Sequence, residues 1–230
     1  MGAPSVEGSR RGSSSTSVAP KDHGWLGDVG ELRDVASRNL RWHVECADGV
    51  AYDVRPIRPK DGPALRTFHG SLSERTTYLR YFSSHPALSD DEVRRFTHVD
   101  YVRRLALVAE DGGGLIAVGR FDTEAGTSKA EVAFVVDDRH QCHGIGSLLL
   151  DLLVVAARER GVTTFVVETL AENRGMLHVV YHSGFSVASR RDHETVTLEF
   201  PIAPTVSYCA ELARRHSHYV LTRNEPVAPS

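Results

Sequence analysis

One stretch constrains this chain more than any other. Residues 130–136 read Ala-Glu-Val-Ala-Phe-Val-Val, apolar on both faces except at Glu131, as a strand inside a sheet would be. A loop ending Gln141-Cys142-His143-Gly144-Ile145-Gly146 follows it. Residues 147–160 are then rich in Leu, Val and Ala, long enough for a buried helix, and Gly161 ends the run. Strand, loop and helix in this order put glycines at a helix N-terminus. The first N–H groups there lack intrahelical acceptors and the dipole end is positive, so an anion such as phosphate suits the place.

Two glycines before a helix also occur in purely structural turns. The dinucleotide fingerprint Gly-x-Gly-x-x-Gly needs a third glycine where Leu149 stands. The Gly-Lys-Ser/Thr of a nucleoside triphosphate loop is absent as well. A third cradle fits. Residues 141–146 resemble the Gln/Arg-x-x-Gly-x-Gly/Ala loop of GNAT acetyltransferases, which holds the pyrophosphate of acetyl-coenzyme A. Further matches follow in order: a strand at 164–170, then Glu172-Asn173-Arg174 opening a short helix, then Ser183-Gly184-Phe185. Together they cover about the last two-thirds of the chain. Residues 72–82, which contain Tyr-Leu-Arg-Tyr-Phe, resemble the catalytic domain of bacterial protein-lysine acetyltransferases.

The resemblance implies an α/β (α+β) fold: a central mixed, mostly antiparallel sheet, a V-shaped splay between two parallel strands, and helices on both faces. It implies acetyl-coenzyme A as acyl donor and no metal. Gln141, Cys142 and the amides of His143, Gly144, Ile145, Gly146 and Ser147 would surround the pyrophosphate. Phe134, Val135 and Val136 would lie along the pantetheine arm, with backbone groups of Phe134 and Val136 pairing with it. Asn173 would bond the pantetheine or order the loop; a plain helix N-cap is the alternative. Arg139 is read either as a 3′-phosphate contact or as a solvated surface arginine.

Composition limits the other classes. With 230 residues, 41% hydrophobic and 25% charged, the chain allows one sizeable domain plus extensions. A net charge of −3 argues against nucleic acid as the main partner. Three widely spaced cysteines suggest no disulfide framework and fit a reducing cytoplasm. No apolar run of about 18 residues is present, so no membrane span is expected. The expected division is a loosely ordered extension at 1–40, with a short helix at 25–37, a catalytic domain at 41–203, and an extension at 204–230. The last would hold an amphipathic helix over 206–220 and a loose tail from Glu225. Arg10-Arg11 precedes no apolar stretch and is not read as a signal. Oligomeric state is left open.

Within the domain, Asp48-Gly49 between two strand-like runs signals a hairpin. A helix from about Asp61 carries Leu65, Phe68 and Leu72 on one face, and residues 73–82 read as a second. Ser89 with Glu92 three residues on is a capping box for a third. Residues 105–110 and 115–121, and later 187–191 and 195–200, read as antiparallel hairpins.

An ammonium cannot attack a thioester. A lysine with a pKa near 10.4 is only about 0.04% neutral at pH 7, so a site must remove its proton. Glu131 is the candidate general base, an isolated carboxylate whose expected partial burial would raise its pKa; a merely solvated strand residue is the bland reading. Glu168, on the next strand, is the alternative base. Many GNAT enzymes place a tyrosine acid seven residues after the asparagine. Here that position is Val180, and Tyr181 lies one residue, about 100° of helix, further on. A thiol with a pKa of about 8.5 leaves tolerably without an acid. Of twelve histidines none has metal-ligand spacing with a partner: His140 and His143 are three apart, but on a loop with no matching carboxylate pair. By resemblance the acceptor is a lysine on a protein, such as an acyl-coenzyme A synthetase. The alternatives are a small amine or antibiotic, or a regulatory domain that binds acetyl-coenzyme A without catalysis.

Overall fold

The computed structural model describes residues 41–47 and 49–224. The expected helix at 25–37 and the tail from Glu225 lie outside them. The chain opens with the predicted hairpin, β1 (Arg41–Cys46) and β2 (Ala51–Pro56). Three short helices follow: α1 (Gly62–Ser71), α2 (Glu74–Tyr81) and α3 (Asp90–Thr97). Ser73 caps α2 by accepting from the Thr76 amide, and Ser89 and Glu92 form the predicted capping box on α3. Then come β3 (Arg104–Asp111), β4 (Gly114–Thr123), β5 (Lys129–Val136), α4 (Ile145–Glu159), β6 (Thr164–Leu170), α5 (Arg174–Tyr181), β7 (Ala188–Asp192) and β8 (Thr195–Pro201). The C-terminal segment adds α6 (Val206–His216) and β9 (Tyr219–Asn224).

Among the described residues nine strands join one sheet in the order β7-β8-β6-β5-β4-β3-β2-β1-β9. Every pairing is antiparallel except β5 with β6. The expected mixed, mostly antiparallel architecture is therefore present. Helix α4 lies on the face that carries Gly119 and Phe134: a Cβ at Gly119 would sit 3.0 Å from Phe134 and 3.2 Å from Leu149. The opposite face, carrying Val118 and Val135, is covered by α1 to α3.

Helix α4 is buried nearly all round, from Ile145 to Ala157. Its sheet-side half explains Leu149 and Leu153. Its outer half is covered by α5 and α6, which is why even Asp151 is buried. Arg215 of α6 meets that carboxylate at 2.8 and 3.2 Å.

The C-terminal segment differs from the sequence reading. The helix stops at His216, not Val220, and residues 219–224 pair antiparallel with β1 along its whole length. Tertiary pairing thus overrides a helical period that runs on for four more residues. Gly184 is the hinge of this docking. Its φ is +88°, and a Cβ there would lie 2.7 Å from Ser207 O and Tyr208 Cα. Phe185 then stacks on Tyr208 at 4.2 Å. Gly184→Ala is expected to cost about 3 kcal/mol by combining overpacking with left-handed strain. Chemical denaturation of the two proteins measures it; a change under about 1 kcal/mol would mean that α6 docks only loosely.

Candidate active site

The parallel pair β5–β6 holds together for three residues only, Lys129 to Glu131 against Thr164 to Val166. Beyond them β5 stays with β4 up to Val136, and β6 stays with β8 up to Leu170. The two strands splay, and beyond Glu131 and Val166 neither pairs with the other; on the β5 edge the Val136 carbonyl is taken by the Gln141 side chain. Asp137 N–H donates to Ile116 O. Residues alternate along a strand, so Phe134 and Val136 turn their backbone groups away from β4 and into the splay. Val135 does not: its backbone faces β4, and its side chain lines the cleft on the far face. Of the three strand residues expected along the pantetheine, two are placed at the open edge.

The loop from Asp137 to Gly144 is held from both sides. Asp137 is 2% exposed. Its Oδ1 accepts from the Arg139 amide and Nε, both at 3.0 Å, and its Oδ2 from Arg139 Nη2 at 3.2 Å and Ser71 Oγ at 3.3 Å. The Arg139 hydrogen bond, with help from His140, holds this carboxyl down to about 2. Asp138 fastens the loop to the start of α2, accepting from Ser73 N, Ser73 Oγ and Thr76 Oγ1 at 2.7 to 2.9 Å. Burial works against its ionised form, but these donors outweigh burial and lower its pKa. Gln141 Nε2 donates to Val136 O at 3.1 Å. Arg139 is thus tied back to Asp137, and Gln141 ties the loop to β5.

A depressed folded-state pKa stabilises above the unfolded value and is lost below it. The Asp137 contribution is therefore complete above the ordinary carboxyl value of 3.8 and disappears as pH falls through about 2. Asp137→Asn is expected to lower stability at pH 7 by about 2 kcal/mol, the scale of hydrogen bonds to a charged group. Its stability curve should also be flatter than the parent's below pH 4. Parallel acid-limb slopes for the two proteins would contradict this role.

At the helix start, Cys142 has φ 67° and Gly144 φ 77°. The amides of Gly144, Ile145, Gly146 and Ser147 have no acceptor among the described residues; the α4 ladder begins with Leu148 N–H on Gly144 O. No atom lies within 4 Å of where a Gly144 Cβ would stand. Gly146 serves packing instead, since a Cβ there would meet Val179 of α5 at 3.3 Å. Ser147 follows in the first turn, and Cys142 is an exposed free thiol. Asn173 is the N-cap of α5: its Oδ1 accepts from Met176 N at 3.1 Å. That occupies one of its two polar ends and leaves the amide nitrogen for a ligand. Val180 is fully buried and Tyr181 is 49% exposed, so the position expected of a tyrosine acid is filled by a core valine.

Glu131 is the last paired residue before the splay. It shares a face with Ala133 and Val135, and with Val166 and Glu168 across the gap. Both glutamates are exposed. The partial burial expected for Glu131 is not supplied by the polypeptide, because no strand continues beside it once β6 diverges.

On this same face α1 to α3 and the sheet border a small, partly open cleft, lined among others by Phe68, Arg80, Tyr81, Phe96, Arg120 and Ala133. Burial pushes the Arg120 guanidinium down to about 10 and lowers that of Arg80; it raises the Tyr81 hydroxyl. The sequence reading passed over both arginines. The signal was a charged residue at Arg120 inside the apolar run of β4. Among the described residues no group of three or more His, Cys, Asp or Glu is placed to hold a metal ion, and no helix is long and apolar enough to cross a membrane.

Comparison with known proteins agrees with this geometry. The acetyltransferase (GNAT) family model matches residues 73–185. Acetyltransferase Pat of Mycolicibacterium smegmatis is 34% identical over 176 residues, 74% of this chain and 52% of that protein; the chain thus spans about half the length of this relative. The crystal structure of the GNAT domain of S. lividans PAT superposes with a TM-score of 0.65 at 38% identity, covering 69% of this chain and 95% of that one. A cAMP-binding acyltransferase from Mycobacterium smegmatis gives 0.53 at 25% identity, over 86% of this chain and 62% of that one. An open splay, a bare helix N-terminus beside it and this level of identity to a domain matched almost whole lead to one conclusion: the chain belongs to the GNAT acetyltransferase family and is related to bacterial Pat.

Proposed function

We propose that this enzyme acetylates lysine side chains of proteins by direct attack of the amine on acetyl-coenzyme A, with Glu131 as general base. The observation that carries the reading is the position of Glu131. It stands where β5 and β6 part, on the face of the acceptor cleft and at the root of the open edge formed by Phe134 and Val136. Pantetheine extends that edge as an added strand would. The pyrophosphate meets the free amides of Gly144 to Ser147, and Gln141, Cys142 and His143 shape the loop below it. The thioester then lies near Glu131. Its carboxylate takes a proton from the incoming ammonium, directly or through water. The neutral amine attacks the carbonyl carbon, the C–S bond breaks and the coenzyme A thiolate leaves; the nitrogen gives up its remaining extra proton as the amide forms, and that proton reaches the thiolate through solvent. Bound donor and acceptor supply the exclusion of water that the free enzyme lacks at this carboxylate. Glu168 is the alternative base on the same face.

The similarity to Pat supports a protein acceptor. An acyl-coenzyme A synthetase is a suitable one by family resemblance; acetylation of its active-site lysine would remove a charge and silence it. The described cysteines are free, in keeping with a reducing cytoplasm. Transfer of a labelled acetyl group, assayed against such a synthetase and a panel of small amines, tests the acceptor class. Label on the protein is expected; label confined to polyamines or aminoglycosides would replace this reading with a small-molecule one.

A further inference from the structure

Arg120 is out of place in a strand interior. It is 7% exposed and lies between Gly119 and Phe121, both buried. A guanidinium carries five N–H donors and keeps its charge. Here Nε and Nη2 find no hydrogen-bond acceptor among the described residues. The Asp122 carboxylate is 3.3 Å from Nε but out of line for a hydrogen bond, and Arg104 Nε already holds it at 2.8 Å. The Phe96 ring lies 4.7 Å from the guanidinium carbon. A ring face offsets part of the charge but cannot satisfy the donors.

A second arginine, Arg80 of α2, lines the same cleft but is only half-buried, and its donors are not sealed from solvent. It packs 5.2 Å from the Tyr81 ring. No hydrogen bond or ion pair holds it among the described residues. The charges these two arginines feel are Asp122 and Glu131 on one side and Arg95 and Arg104 on the other. One of these carboxylates, Glu131, is the candidate base.

What Arg120 lacks is a well-aligned acceptor for Nε and Nη2, and the chemistry that would supply one here is narrow. The rest of the cleft wall is largely apolar, with Ile57, Phe68 and Phe96. A dianion is costly to bring into such a place. A carboxylate offers one charge and two coplanar oxygens, which match the guanidinium fork. Arg120 pairs across the strands with Ala133, so Glu131 is its diagonal neighbour. Their Cα atoms are therefore about 7 Å apart. An amine delivered to Glu131 and a carboxylate delivered to Arg120 can belong to one acceptor.

We propose that the cleft recognises a carboxylate carried by the acceptor, held by Arg120 and Arg80 while the acceptor amine is presented to Glu131. The identification of the carrier as the acceptor rests on the acetyl-transfer reading above. Two sources share this chemistry: an acidic side chain next to the target lysine, and the α-carboxylate of a free amino acid.

Two matched probe pairs separate them. One is a capped peptide with glutamate beside lysine, against the same peptide with glutamine. The other is free lysine against lysinamide. Calorimetry on the protein saturated with coenzyme A reads affinity without requiring turnover. In one pair the acid is expected to bind at least about tenfold tighter than its amide, the low end for hydrogen bonds to a charged group. The responding pair names the source. Arg120→Gln should reduce that ratio to near one, and Arg80→Gln should lower it. The ratio is taken within each protein, so a smaller folded fraction does not change it. Equal affinities within both pairs overturn the proposal, as does a preference that survives in both variants. A clear acid preference without any acetyl transfer would instead defeat the proposed function and leave the carboxylate site standing.

Discussion

Glu131→Gln is expected to lower kcat about 100-fold or more, the usual range for loss of a general base. The variant keeps the shape of the side chain and removes its basicity. A hundredfold loss corresponds to about 2.7 kcal/mol of transition-state stabilisation. Glu131 is exposed and donates nothing to the fold, so thermal stability should be nearly unchanged. Acetyl-coenzyme A affinity should also hold, because the site proposed for it is built from backbone groups of Phe134, Val136 and the α4 start and not from the Glu131 side chain. Its carboxylate is part of the field at Arg80, however. Acceptor KM should therefore shift modestly while kcat carries most of the loss. The same pattern from Glu168→Gln alone would move the base to Glu168.

Gly144→Glu is expected to weaken acetyl-coenzyme A binding by several orders of magnitude while the protein stays folded. Two effects are separable. At φ 77° any side chain is strained, by about 1–2 kcal/mol. Gly144→Ala carries that strain alone. Glutamate adds bulk and a negative charge in the space now open beside the bare amides of α4, where the pyrophosphate would otherwise gain from the same dipole. Calorimetric titration of the three proteins should rank them parent, alanine, glutamate, with the alanine and glutamate variants melting at similar temperatures. Equal affinity in the parent and the glutamate variant would remove the pyrophosphate from this loop.

How much of this was legible follows from which interactions are local. The caps at Ser73 and Ser89 are written within four residues and were visible. So was the central unit from Lys129 through α4, whose apolar run and glycines state their own geometry. Strand β9 was not. Its partner β1 is about 180 residues away, and four of its residues, Tyr219 to Thr222, are only half-buried or exposed, so it carries little hydrophobic signature. The exposure of Glu131 was also hidden. An apolar strand predicts neighbours on both sides, and only the divergence of β6 after Val166 removes one of them. The arginines of the cleft were illegible for a related reason. Arg80 in a helix reads as surface, and only the packing of α2 against β5 turns it inward. Val180 was read correctly from spacing alone, because one residue on a helix fixes direction.

The central claim is that Glu131 drives acetylation of a lysine on a protein. Intact-mass and peptide mass spectrometry of an acyl-coenzyme A synthetase, incubated with acetyl-coenzyme A and either the parent enzyme or Glu131→Gln, tests it directly. One added acetyl group on one lysine is expected with the parent enzyme, and at least about 100-fold slower modification with the variant. Equal rates with both enzymes, or robust turnover of a small amine with no modified protein in a cell extract, would contradict it.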